Sequence, residues 1–133
     1  MTSAELESLV RLGQLRREPP VALEIGGLLR SGEARLTDAA NRTLSLESHF
    51  DLAYNGAHAL ALAALRLRGY RSDNRFLVFQ VLPHTLGLPP ATWRVLSKGR
   101  ETRNMAEYEG ALDVDKGLVD DLIKAAEAVR VAL

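Results

Sequence analysis

Apolar residues recur every three or four positions along most of this chain, and short breaks of Pro, Gly, Ser and Asp interrupt them. That spacing is helical rather than stranded. Over residues 2–17, Leu6, Leu9, Val10 and Leu12 share one side, and Pro19-Pro20 stops the helix. Pro20 suits the first position of a second helix, which runs to about Arg30 and stops at Ser31-Gly32. A third starts near Glu33 and carries Leu36, Ala39 and Ala40. Ser45 is placed as the N-cap of a long fourth helix, Leu46 to about Arg68, with Phe50, Ala53, Tyr54, Ala57, Leu60, Ala61, Ala64 and Leu65 on its apolar positions. Gly69 ends it.

Ser72 reads as the cap of "DNRFLVFQVLPHTL", which Pro83 kinks or shortens and Gly87 closes. Pro89-Pro90 opens a helix from Ala91 to about Glu109, ended by Gly110, and Asp113 or Asp115 caps a last one through Leu118, Leu122, Ala125, Ala126 and Val129. No segment sustains the alternation of a strand, and no repeat or low-complexity tract interrupts the pattern. The pattern predicts an all-α protein: an up-and-down bundle of four or five helices over residues 33–133, preceded by a short helical extension, residues 1–32.

Composition narrows the function classes. The chain has 133 residues, enough for one domain, with abundant Ala and Leu and a formal net charge of zero, so no global field draws it to nucleic acid or an anionic membrane. Any such contact needs a local basic patch. The absence of Cys removes thiol nucleophiles and zinc–thiolate sites. "MTSAELESLVRL" lacks the basic and apolar regions of a secretory signal, and no apolar run is long enough to span a bilayer, which gives a cytoplasmic expectation with no membrane partner.

The helix at 91–109 carries an anomaly, "RETRNMAEYEG". At about 100° per residue, Trp93, Leu96, Arg100, Arg103, Asn104 and Glu107 share one broad face, with Tyr108 at its margin. The face that starts apolar therefore continues as Arg, Arg, Asn and Glu. Two readings stand side by side. In one, Arg103 and Glu107 pair at i,i+4 or close a bundle end. In the other, the bundle opens there into a cleft or meets a second copy, and arginine with an amide binds phosphate or a base.

"SLESHFDLAYNGAHALALAALRLRGYR" resembles the second core helix of HEPN domains (higher eukaryotes and prokaryotes nucleotide-binding), with its "AYxAAHxA…ALxxxGxR" character, and "RNMAEY" resembles the signature on that family's later helix. The likeness spans roughly residues 33–130. It implies a four- or five-helix up-and-down bundle, a homodimer, and, in active members, metal-independent RNA cleavage where two signature helices meet. Arg103 matches the signature Arg and Asn104 the polar residue after it, while Tyr108 stands where the signature His belongs. No His follows His84. A Tyr, with a pKa near ~10, is a poor base beside a His near ~6.5.

The resemblance thus implies a dimeric nucleotide- or RNA-associated subunit, non-catalytic or weakly catalytic, of the kind encoded beside a minimal nucleotidyltransferase in a toxin–antitoxin module. A metal-independent ribonuclease toxin using Arg103, Asn104 and Tyr108, and a structural interaction module, remain as alternatives, so whether the chain is an enzyme stays open. Arg100, Glu107, Tyr54 and His58 are the candidate binding residues, with no metal and no cofactor expected. His49 and His58 lie nine apart on one helix and do not make a metal pair; His58 is expected as a hydrogen-bonded seam residue and His84 as a cap or surface residue. "LRLRGYRSDNR" gathers four arginines about a turn, either solvated or contacting nucleic acid with Tyr70 stacking.

Overall fold

The computed structural model describes residues 3–110 and 114–133, apart from the side chains of residues 107–109. The protein is an all-α bundle built round α3 (Leu46–Leu67), whose Phe50, Ala53, Tyr54, Ala57, Leu60 and Leu65 are all buried. Against it pack α2 (Ala22–Ala39), α6 (Pro90–Glu109) and α7 (Lys116–Ala132). Gly32 of α2 meets Gly56 and Leu60, Gly99 of α6 lies near Tyr54, and α7 begins beside Leu46 and His49. Those neighbours fix the directions as up, down, up, down. Two short helices, α4 (Arg75–Gln80) and α5 (Leu82–Thr85), fill the link between α3 and α6, and α1 (Ala4–Arg11) packs at the front. No described helix is long and apolar enough to cross a membrane.

Local signals set several boundaries as expected. Ser45 caps α3 by accepting from the Ser48 N–H at 3.2 Å, and Asp115 caps α7 by accepting from Leu118 N–H at 2.7 Å; Asp113 lies outside the described residues. Gly110 ends α6 in the left-handed conformation at φ 74°, which glycine adopts without a Cβ clash. The cap of α4 is Asn74, which accepts from Leu77 N–H at 3.3 Å; Ser72 instead accepts from Asn74 N–H at 3.1 Å.

The expected break at Ser31-Gly32 does not exist. Helix α2 runs unbroken from Ala22 to Ala39, so no boundary in secondary structure falls at residues 32–33. Gly32 serves contact rather than termination. A Cβ there would lie 2.6 Å from the Leu60 side chain and 3.1 Å from the Gly56 carbonyl oxygen, so two helices cross where neither carries a side chain. Helix α1 is also shorter than the expected 2–17. Leu12 is 71% exposed, and Leu15, beyond the helix, takes the buried position.

Residues 16–17 form instead a two-residue antiparallel ladder, Arg16 with Arg71 and Arg17 with Tyr70. Beneath it lies Arg66, fully buried. Its Nε donates to Glu24 Oε1 at 2.7 Å, Nη1 to the carbonyls of Glu18 (2.9 Å) and Tyr70 (3.2 Å), and Nη2 to the carbonyl of Pro19 at 2.8 Å. Arg71 shares both carboxylates, reaching Glu18 at 2.5 Å and also bonding Glu24. Arg66 and Arg71 hold the Glu24 carboxyl below its ordinary range by hydrogen bonding to the ionised form. The front segment is thus joined to the bundle through buried polar bonds as well as through Leu6, Leu15 and Ile25.

Two outcomes follow for stability. Gly32→Ala should lower unfolding free energy by about 1–3 kcal/mol, since the added methyl overpacks the crossing, while Gly27→Ala in the same helix, whose nearest neighbour would be Arg30 Nη2 at 4.0 Å, should raise it by roughly 0.5–1 kcal/mol. Urea unfolding of the pair distinguishes contact from mere helix propensity. Arg66→Met should cost about 3 kcal/mol, the low end of the ~3–5 kcal/mol range because the abandoned carboxylates keep contact with water; an unchanged urea midpoint would refute the role given to Arg66.

Candidate functional site

Helix α6 leaves the bundle gradually. Leu96 is fully buried, Gly99 packs on Leu122 and Tyr54, Arg100 and Arg103 are half-buried, and Asn104 is exposed. The inward stripe therefore turns polar where the helix rises past the N-terminal half of α3. An open groove of about 630 Å³ lies between α6 and the start of α4, lined by Tyr54, Asp73, Asn74, Arg75, Arg100 and Asn104. Three of the expected residues, Tyr54, Arg100 and Asn104, meet there.

Tyr54 is 1% exposed and is held in the core by Phe50, stacked at 6.1 Å, and by Phe79, edge-on at 5.9 Å. Arg75 lies over its ring, 5.6 Å from the centroid, and donates to Asn55 Oδ1 at 3.2 Å. Arg100 lies over Phe76 at 6.0 Å, and Phe76 in turn meets Trp93 edge-on at 5.9 Å. Arg94 sits over Trp93 at 5.8 Å. Each guanidinium is thus positioned by an aromatic face. Among the described residues neither Arg75 nor Arg100 has a carboxylate partner, and the Asn104 side chain has no hydrogen bond.

Arg103 is placed differently. It makes an ion pair with Asp51 of α3, both side chains partly exposed. That contact runs across helices rather than along one. The side chains of Glu107 and Tyr108 lie outside the described residues. His58 is half-buried and edge-on to Phe79 at 5.9 Å, with no hydrogen bond among the described residues. Burial, with the nearby Arg75 charge, pushes its pKa down to about 4, so it is neutral at neutral pH. Among the described residues no three of His, Asp and Glu converge as a metal would require.

The arginine-rich turn separates into distinct fates. Arg66 is buried, Arg68 donates to the Thr85 carbonyl at 2.9 Å, and Arg71 is paired, leaving only Arg75 for the groove. Tyr70 is 4% exposed and its hydroxyl donates to Glu7 Oε1 at 2.5 Å, so its ring is a core element and not a stacking surface. Helical spacing does not mark Asp51, Arg75 or Phe76, because their importance comes from neighbours on other helices. No protein-family model, curated protein or solved structure matches the chain.

The neutral state of His58 gives a pH dependence with a definite sign. The unfolded chain takes up the proton near 6.5 and the folded one only near 4, so the contribution is complete above about pH 6.5 and lost as pH falls toward 4. The loss is at most about 3.5 kcal/mol, from ~1.4 kcal/mol per pKa unit. His58→Gln should flatten this limb of the pH–stability curve, and an NMR titration midpoint for His58 near 6.5 would overturn it.

Proposed function

We propose that the chain is a HEPN-like dimeric subunit that binds the phosphate groups of a nucleotide or RNA in the α4–α6 groove, with little or no cleavage activity of its own. The supporting observation is the convergence of Arg75 and Arg100, from two helices and without a carboxylate partner among the described residues, on one open groove beside Asn104. A guanidinium fork matches two phosphate oxygens, and an amide adds a donor at the same level. The one carboxylate that shares this lining, Asp73, is paired with Arg16 instead.

The resemblance supplies the rest of the reading: the homodimer, a minimal nucleotidyltransferase as partner, and the toxin–antitoxin setting. The ribonuclease alternative draws less support. The Arg103 charge is held by Asp51, the half-buried His58 takes a proton only near pH 4 and so is a weak base with no acid form near neutral pH, and Tyr108 stands at the position of the signature His. Cleavage through a 2′-hydroxyl needs a base and an acid near neutral pH, and a phenol is a poor base there.

Fluorescence anisotropy with labelled RNA tests the proposal. Arg75→Ala/Arg100→Ala should weaken binding at least ~10-fold and reduce the salt slope of log K by about 1.4, two contacts at ~0.7 each for a single strand. Equal binding by the variant and the parent protein would reject the groove. Sedimentation showing a monomer at high micromolar concentration would reject the dimer, and brisk RNA cleavage in chelator, abolished by Arg103→Ala, would put the ribonuclease reading first.

A further inference from the structure

The α4–α6 groove does not end at Asn74. Asp73 and Asn74 also line a second groove, of about 630 Å³, together with Gln14, Ser72, Phe76 and Gln80. Gln14 and Gln80 in turn line a third, of about 320 Å³, that reaches His84. The three are successive reaches of one furrow that passes round the short helix α4. Each reach has the volume of a pocket for one small ligand, about 300–1,000 Å³. The furrow as a whole suits several units of a polymer.

Its chemistry changes along its length. The first reach carries Arg75 and Arg100, which have no carboxylate partner among the described residues, and at its edge Asp73. In the second, the Arg16 charge is taken by Asp73 at 3.3 Å, and the remaining polar groups are uncharged amides and a hydroxyl. The side chains of Gln14 and Gln80 have no hydrogen-bond partner among the described residues, and both residues are exposed. Asn74 uses its Oδ1 on Leu77 N–H and keeps its amide donors. Phe76 belongs to both reaches: it lines the second, while its ring lies under Arg100 of the first.

We infer that the furrow takes a single-stranded polynucleotide, with a phosphodiester on Arg75 and Arg100 and an adjacent base against Gln14, Asn74 and Gln80 beside Phe76. The inference rests on the phosphate-binding reading of the first reach and extends it to the front segment, which supplies Gln14. Amides offer the paired donor and acceptor that base edges require, and an aromatic ring accepts any base face. A duplex keeps its bases stacked and paired inside, so it cannot set one against Gln14 and Gln80.

The test uses the full chain, with labelled RNA and DNA single strands of about ten nucleotides, within the ~4–16 range of such sites, their duplexes, and inorganic pyrophosphate followed through the fluorescence of the single Trp, Trp93. Gln14→Ala/Gln80→Ala changes two exposed residues. It should weaken the single strand about 30-fold, the sum of two ordinary hydrogen bonds, and leave pyrophosphate binding unchanged. Duplexes should bind at least ~10-fold more weakly than the strand they contain. A preference between RNA and DNA identifies the sugar, and tight binding of either strand supports the furrow. Strand affinity unaltered in the glutamine variant, or duplex affinity equal to that of the strand, overturns it; the phosphate site then still stands if pyrophosphate binds. If neither pyrophosphate nor strand binds, the phosphate-binding reading falls as well.

Discussion

One guanidinium without access to water governs how this chain closes. Arg66 sits at the end of the central helix with four directed bonds, three of them to carbonyl oxygens at Glu18, Pro19 and Tyr70. A buried arginine is costly unless its donors are satisfied, and carbonyls in irregular backbone are costly unless something donates to them. Each solves the other's problem. The arrangement holds only when the segment at 18–19, the start of α2 and the turn after α3 all converge on the same point. The buried charge therefore specifies geometry, and the carboxylates of Glu18 and Glu24, shared with Arg71, balance it.

The groove inherits its shape from that point. Arg71 and Tyr70 are held in the ladder with Arg16 and Arg17, and Tyr70 is tied through its hydroxyl to Glu7. Arg17 also pairs with Glu7, and these two bonds keep the Glu7 carboxyl below its ordinary range. The residues that follow, Asp73 to Arg75, form the wall facing α6. Across from them, α6 exposes its polar stripe because its last turns climb past the body of the bundle. Packing thus sets one wall, and a buried ionic network sets the other.

Much of the fold was legible in the sequence because its signals are local. Helix periodicity, the Ser45 and Asp115 caps and the Gly110 stop each depend on residues within one turn. Gly32 was misread for the same reason. A Ser-Gly pair after an arginine looks like a helix end, and only the approach of Gly56 and Leu60 from another helix shows that it is a crossing point. The site was half legible: Tyr54, Arg100 and Asn104 meet as their shared stripes suggest, but Asp51, which takes Arg103, and Arg75, which completes the groove, are long-range neighbours. The likeness of Arg66, Arg68, Arg71 and Arg75 in sequence also conceals four different environments.

Unpaired arginines are common on protein surfaces, where water satisfies them, so their number means little. What distinguishes Arg75 and Arg100 is how they are held. The chain carries as many acidic as basic residues, 17 of each, and Arg16, Arg17, Arg71, Arg103 and Arg130 all find carboxylates. These two find aromatic rings instead, Tyr54 and Phe76, and, unlike Arg94 over Trp93, they line the groove. A ring orders the long side chain but does not neutralise it or occupy its outer hydrogen-bond donors. An anion meeting such a pair pays little of the rotamer entropy that freely moving arginines would lose, about 0.5–1.5 kcal/mol for each side chain immobilised on binding. A salt bridge at either position would order the arginine equally well but would have to be broken first. Aromatic seating is therefore the arrangement that leaves charge both preorganised and available, and it is found where α4 faces the polar stripe of α6.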